Sequence, residues 1–235
     1  MTMIVYGEAM NFDQKWDSDV YAHGRQVNKY PFDQVVSTIF QYFGRCDRQH
    51  IKVLELGCGT ANNIAFLAKE GFDAYGVDGS EHAISIGRRF LQSEGLEANL
   101  ECFDFSDLSK FTDAHFDMII DRGSITHNPR AGITKTLDEV YRVLKNSGLF
   151  LSVMFSDAHS GVKYGNRQAD GSFIGFSDGY LKGHDFVFYF ASIEDTEEFF
   201  DARFEVISKV HQVHDDFCKK DDVRAMWSVL CRKSV

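Results

Sequence analysis

Val53-Leu54-Glu55-Leu56-Gly57-Cys58-Gly59-Thr60-Ala61-Asn62-Asn63 decides how this chain is read. An apolar run from Ile51 to Leu56 stops at a glycine-rich turn and passes into a helical stretch from Ala61 to Glu70. That is the pattern of a parallel strand covered on both faces and followed by its crossover helix. Gly57 and Gly59 supply backbone freedom and remove side chains where a ligand must press against the main chain. The helix offers its free N–H groups and positive end to whatever lies over the turn. Such a corner, at the carboxyl end of a strand, is where open α/β sheets bind nucleotide-type ligands. Glu55 is unusual here, because a buried carboxylate needs a partner or a positive ligand. Asn62 occupies the third glycine position of the dinucleotide fingerprint, which argues against a nicotinamide cofactor.

Downstream the chain repeats the same alternation. Ala74 to Asp78 reads as a second strand ending in an acid, followed by Gly79-Ser80 and a helix to about Ser93. Asp78 lies 21 positions after Gly57, the spacing at which an acid accepts both ribose hydroxyls. Leu96 to Phe103 is a third strand with Asp104-Phe105 at its end, where an Asp can accept from an adenine amino group. Phe116 to Ile120 is a fourth strand, leading into Asp121-Arg122-Gly123-Ser124-Ile125-Thr126-His127-Asn128. A helix from Pro129 to Leu144, capped by Asn128, leads through Lys145-Asn146-Ser147-Gly148 into a fifth strand from Leu149 to Met154. Residues 155–185 form a long glycine-rich loop, and loops of this length inside a compact domain are usually functional. Ser192-Ile193-Glu194-Asp195 reads as a capping box. Phe204 to Ser208 and Met226 to Leu230 read as the last two strands.

Four corners, ELGCGTANN, YGVDGS, FDFSDL and FDMIIDRGSITHN followed by RVLKNSGLFLSV, together resemble the class I S-adenosylmethionine (SAM) methyltransferases of small molecules. The resemblance covers roughly residues 50–155. It implies an α/β Rossmann-like fold, with a seven-stranded mostly parallel sheet, helices on both faces and a reversed last strand. It also implies SAM as cofactor. Carried over by position, Gly57, Cys58 and Gly59 line the methionine moiety, with Glu55 ordering the loop from beneath and Asn62 a further cofactor-binding candidate. Asp78, with Gly79 and Ser80 after it, holds the ribose. Asp104 and Phe105 frame the adenine, and Asp121 and Arg122 approach the amino-acid end. One departure is Lys-Asn-Ser-Gly at 145–148, where the family usually has Lys-Pro-Gly-Gly.

Ahead of the first strand, residues 1–45 read as an aromatic arm with Tyr6, Phe12, Trp16, Tyr21 and Tyr30, then an amphipathic helix from Pro31 to Phe43. The arm and helix are expected to serve as a lid, leaving 46–235 as the cofactor domain with 155–190 overhanging the acceptor site. Arg25, a cation within the arm, could meet a ligand carboxylate but is read first as a surface cation. Methyl transfer to a hydroxyl needs a proton removed, and a residue titrating near neutrality suits that task. His127, after the fourth strand, is the first candidate base. His159, His184, Tyr164 and Tyr180 in the overhang are alternatives, while His211 and His214 are expected to face solvent. Phe173, Phe176, Tyr180, Phe186, Phe188, Tyr189 and Phe190 are candidates to line an acceptor pocket, about half of them belonging instead to the core.

Composition narrows the class. The formal net charge is −10, and the only dense basic points are the pairs Arg88-Arg89 and Lys219-Lys220. Phosphate-backbone affinity needs clustered cations, so no nucleic-acid partner is expected. The five cysteines show no C-x-x-C spacing, so no metal is expected. No basic segment followed by an apolar core opens the chain, and no apolar run approaches the ~20 residues of a membrane span. A cytoplasmic protein, monomeric or homodimeric, is expected. Its reaction is expected to be methylation of an oxygen or nitrogen on a small metabolite. Other readings are a non-catalytic SAM-binding sensor, a nicotinamide oxidoreductase and aminopropyl transfer from decarboxylated SAM.

Overall fold

The computed structural model describes residues 12–219 and 221–234. Tyr6 of the arm and Lys220 of the basic pair lie outside the described residues. Five parallel strands, β1 (Lys52–Leu56), β2 (Asp73–Asp78), β3 (Asn99–Cys102), β4 (Phe116–Arg122) and β5 (Leu144–Phe155), are joined by helices except between β3 and β4, where residues 103–115 form turns. Those helices are α2 (Asn62–Lys69), α3 (Glu81–Glu94) and α4 (Arg130–Val143), with α1 (Asp33–Phe43) ahead of β1. β8 (Phe204–Asp215) and β9 (Val223–Lys233) complete a sheet of order β3-β2-β1-β4-β5-β9-β8. β9 pairs antiparallel with both neighbours, so the reversed strand is the last in the chain, as expected. β1 and β4 are neighbours, and the strand order reverses between them. Ligand crevices of open sheets form at that point, and the glycine turn stands there.

Alternation along β1 sends Val53 to one face and Leu54 and Leu56 to the other, all fully buried. One face packs on α4 and α6 (Ile193–Phe199), through Ile133, Leu137 and Phe199. The other packs on α1, α2 and α3, through Val35, Ile39, Ile64 and Ile84. The helix grouped with the arm as a lid is therefore seated in this core. α6 begins at the expected capping box, in which Ser192 Oγ accepts from the Asp195 N–H and Asp195 accepts from the Ser192 N–H.

Four boundaries differ from the sequence reading. The third strand starts late because the Leu96 N–H is taken by Leu91 O in the turn closing α3. Pro129, not Asn128, is the N-cap of α4, and the Asn128 amide donates instead to Ile125 O. β5 begins at Leu144 because residues 145–148 form a bulge between the pairs Phe116–Leu144 and Met118–Leu149, with Ser147 at φ +61°. β8 and β9 extend well beyond the apolar runs. Much of β8 is a solvated edge strand, where polar residues leave no burial signal.

The overhang is more ordered than its composition suggests. It holds α5 (Gly161–Tyr164) and a small hairpin of β6 (Asn166–Arg167) and β7 (Phe173–Ile174). Phe173, Phe176, Phe186, Phe188 and Phe190 are buried in a cluster with Leu181 and with Val20 of the arm.

Candidate active site

The glycine turn is fixed by contacts from β2, from the turn after β4 and from the arm. The Cys58 N–H donates to Val77 O at 3.0 Å, tying the turn to β2. Gly57 adopts φ +61°, and a Cβ there would stand 2.2 Å from Ser124 Oγ, which itself donates to Gly57 O. Gly59 adopts φ +51°, and a Cβ would lie 2.8 Å from the Tyr21 hydroxyl. Side chains are excluded at both positions by conformation and by space. Asp78 accepts from the Gly59 N–H at 2.8 Å and from the Ser80 N–H at 2.9 Å. Burial pushes its carboxyl up to about 6, against the lowering effect of those two bonds.

Glu55 finds a partner that the sequence reading missed. Asn63, in the first turn of α2, donates its amide to Glu55 Oε1 at 2.6 Å and accepts the Phe32 N–H at 2.9 Å. Glu55 Oε2 is buried with no partner. Burial raises the Glu55 carboxyl to about 8, the Asn63 bond opposing and nearby Asp121 and Asp78 adding to the rise. The signal for Asn63 was the unpaired acid itself, which needs a donor within reach.

A cavity of about 500 Å³ opens over the turn. Among the expected cofactor residues, Glu55, Gly57, Cys58, Gly59, Asn62, Asp78, Gly79, Asp104, Phe105 and Arg122 line it. Ser80 and Asp121 do not. Ser80 caps α3 by accepting the Ala83 N–H and donates to Asp17. Asp121 is fully buried, accepting from the N–H groups of Ser124 and Ile125 and from Ser152 Oγ. Its carboxylate secures the turn after β4 and does not line the cavity. Asp104 accepts from the N–H groups of Phe12 and Ser106. The Phe12 ring lies on Gly79, where a Cβ would meet it at 2.3 Å. Arg122 lays its guanidinium over Phe32 at 4.2 Å, and its Nε is buried without a partner.

The second half of the cavity is walled by His127, Asn128, Val153, Phe155, Tyr180, Arg224 and Met226. Trp16 of the arm covers His127 at 4.7 Å and stacks on Phe186 at 4.7 Å. The His127 Nδ1 is 3.3 Å from Val187 O, which assigns the ring proton to Nδ1 and leaves Nε2 as the acceptor. Burial lowers its pKa to about 4. Of the seven aromatics expected to line an acceptor pocket, Tyr180 lines this cavity, while Phe173, Phe176, Phe186, Phe188 and Phe190 fill the overhang's own cluster and Tyr189 packs in the main core. Arg25 is exposed, as the sequence reading preferred, and does not line the cavity. His211 does not simply face solvent: its Nε2 lies 2.8 Å from Ser156 Oγ and its ring stacks on Trp227 at 4.1 Å. Arg224 and Met226 escaped the sequence reading because nothing in a strand's apolar pattern tells which β9 residues meet a cavity built by β5 and the arm.

Residues 53–148 match the family described as methyltransferase domain. A Geobacillus sp. (strain WCH70) protein named as a methyltransferase is 30% identical over 153 residues, 63% of this chain and 59% of that one. An uncharacterized methyltransferase of Schizosaccharomyces pombe is 35% identical over 105 residues, 43% of this chain and 70% of that protein. A 2-heptyl-1-hydroxyquinolin-4(1H)-one methyltransferase of Mycobacteroides abscessus is 39% identical over 74 residues, 31% of this chain and 32% of its own. Among solved structures, a SAM-dependent methyltransferase of Methanosarcina mazei superposes with a TM-score of 0.67 at 19% identity, covering 88% of this chain and 99% of that one. The 1,6-didemethyltoxoflavin-N1-methyltransferase of Burkholderia thailandensis gives 0.68 at 18% identity, covering 93% and 85%. Sheet order, glycine turn and sequence relatives agree: the chain belongs to the class I SAM-dependent methyltransferases.

Proposed function

We propose that the protein transfers the methyl group of SAM to an oxygen or nitrogen of a small-molecule acceptor. The observation that carries this reading is the continuity of the cavity, in which the glycine turn and Asp78 share one space with His127, Phe155 and Met226. A volume of about 500 Å³ lies within the range of small-molecule sites. Support also comes from the two relatives whose names specify small heterocycles as substrates. Bound SAM supplies an electrophilic methyl on a sulfonium, with a neutral thioether as leaving group. The residues of the chain hold that group beside the acceptor and exclude water, so effective molarity supplies much of the rate.

The proposed division of labour follows the cavity lining. Gly57, Cys58, Gly59 and Asn62 border the amino-acid end, with the orphan oxygen of Glu55 available to its ammonium and Arg122 to its carboxylate. Asp78 and Gly79 border the ribose, and Asp104 and Phe105 the adenine. Phe12 and Trp16 close over the two halves as a lid. His127, neutral above pH of about 4, offers Nε2 to an acceptor hydroxyl or amine. Calorimetric titration with SAM, S-adenosylhomocysteine (SAH) and NAD tests the cofactor half, and both adenosyl ligands are expected to bind while NAD does not. The transfer half is tested by the appearance of SAH with a screened set of hydroxylated and amino-substituted heterocycles. Binding of SAM with no turnover across such a set would return the protein to a sensor role.

A further inference from the structure

The described residues contain five buried side-chain polar atoms without a hydrogen-bond partner, and they fall into two groups. Glu55 Oε2 and Arg122 Nε stand at the glycine turn. His159 Nε2, Asp222 Oδ1 and Arg224 Nε stand at the other end, where β9 meets the overhang. Arg224 is the member of that second group that lines the cavity. It lies on the same face of β9 as Met226, two residues before it, and its guanidinium packs against the Tyr180 ring at 5.2 Å. Among the described residues the Arg224 guanidinium enters no ion pair. His159 accepts the Gly161 N–H at its Nδ1, so its ring proton is on the unpartnered Nε2, a second donor beside Arg224. Asp222 keeps its other oxygen 3.4 Å from Lys219 Nζ.

A buried donor left without a partner costs about 1–3 kcal/mol, so a protein retains one where something else satisfies it. A guanidinium presents a fork that matches an oxyanion in two bonds. Register fixes how far this fork is from the cofactor end. Arg122 pairs with Val153, Val153 pairs with Ser228, and Arg224 is four residues beyond Ser228. Two strand spacings and four residue rises place the two Cα atoms roughly 17 Å apart. The wall between them, Val153, Phe155 and Met226, is apolar.

We propose that the methyl acceptor is an apolar or aromatic molecule carrying an oxyanion, carboxylate or phosphate, which docks on the Arg224 guanidinium at the end of the cavity remote from the glycine turn. The inference rests on the reading of this half of the cavity as the acceptor site. Tyr180, half exposed, flanks the entrance and stacks on the guanidinium that the anion engages.

The test uses the full chain saturated with SAH. Calorimetry compares 3-phenylpropanoate with its neutral isostere 3-phenylpropanamide, and phenyl phosphate with phenol. The oxyanion is expected to bind at least about tenfold tighter than its neutral partner, the range of a charge-assisted hydrogen bond. Arg224→Met is expected to erase that preference, and Arg224→Lys to keep part of it. Preference confined to the carboxylate or to the phosphate arm identifies which oxyanion is taken. Equal or absent binding of anion and neutral partner by the parent protein overturns the proposal, as does a preference that survives in Arg224→Met. SAH binding is measured on every variant; one that has lost it is replaced by Arg224→Gln. Failure of the parent protein to bind SAH would instead overturn the reading of the cavity.

Discussion

Glu55 is a carboxyl buried with one oxygen bonded and one orphaned, and its protonation decides what it can hold. Its pKa is raised from 4.5 to about 8, so the folded state retains a proton that the unfolded chain has lost above 4.5. The resulting stabilisation is full below pH 4.5 and is lost as pH rises through about 8. A ligand ammonium favours the charged form, so cofactor binding should expel a proton and tighten from pH 6 towards about 8. Titrations of SAH in buffers of different ionisation enthalpy read that release directly, and Glu55→Gln should abolish it. Unchanged proton release in the variant would reassign the titrating group to Asp78, which burial raises to about 6. Asp78→Asn is expected to weaken SAH binding at least about tenfold, since a charge-assisted acceptor is lost, with circular dichroism unchanged. His127 is a weak base at a pKa of about 4, so His127→Asn should lower kcat no more than roughly tenfold, the worth of a neutral hydrogen bond. A loss of a hundredfold or more would make it the general base.

At the scale of the element, residues 12–25 bridge the two halves of the site. Phe12 rests on Gly79, Asp17 bonds Ser80 and His82 at the start of α3, and Trp16 stacks on Phe186 of the overhang. Lys15 adds an ion pair to Asp185, with both side chains substantially exposed. Exposed pairs contribute little, whereas a stacked aromatic is worth about 0.5–1.5 kcal/mol beyond the area it buries. Trp16→Ala should therefore speed SAH release several-fold in stopped-flow displacement, and Lys15→Ala by less than about twofold. Equal effects of the two would mean that the arm is held by charge and not by its rings. Apolar spacing made α1 legible and left residues 1–30 without a period. The arm takes its form from the surfaces it covers, through Val20 and Trp16 against the overhang cluster.

For the whole molecule, SAH bound to the native state alone should stabilise it by about 2.7 kcal/mol at one hundred times its dissociation constant. In a chain of this size that corresponds to a rise in Tm of roughly 5–10 °C, measured by differential scanning fluorimetry. NAD should give no rise; an equal rise with NAD would remove the distinction drawn from Asn62. No helix among the described residues is long and apolar enough to cross a membrane, and no group of three or more His, Cys, Asp or Glu among them is placed to hold a metal ion.

The parallel core and its cofactor corner were set locally. Buried parallel strands are continuous apolar runs, glycine is required where a turn must take positive φ under a close contact, and acids fall at strand ends by count. Those features survive translation into one dimension, which is why Gly57, Gly59, Asp78 and the order of β1 to β5 were legible. The pairing of Glu55 with Asn63, the withdrawal of Asp121 into the turn after β4, and the arrival of Trp16 and Arg224 at one cavity depend on segments distant in the chain. The overhang's phenylalanines gave no sign of whether they faced a ligand or one another, because apolar surface is satisfied equally by either. Only the packing of the overhang against the arm decided that, burying them together and leaving Tyr180 and Arg224 at the cavity wall.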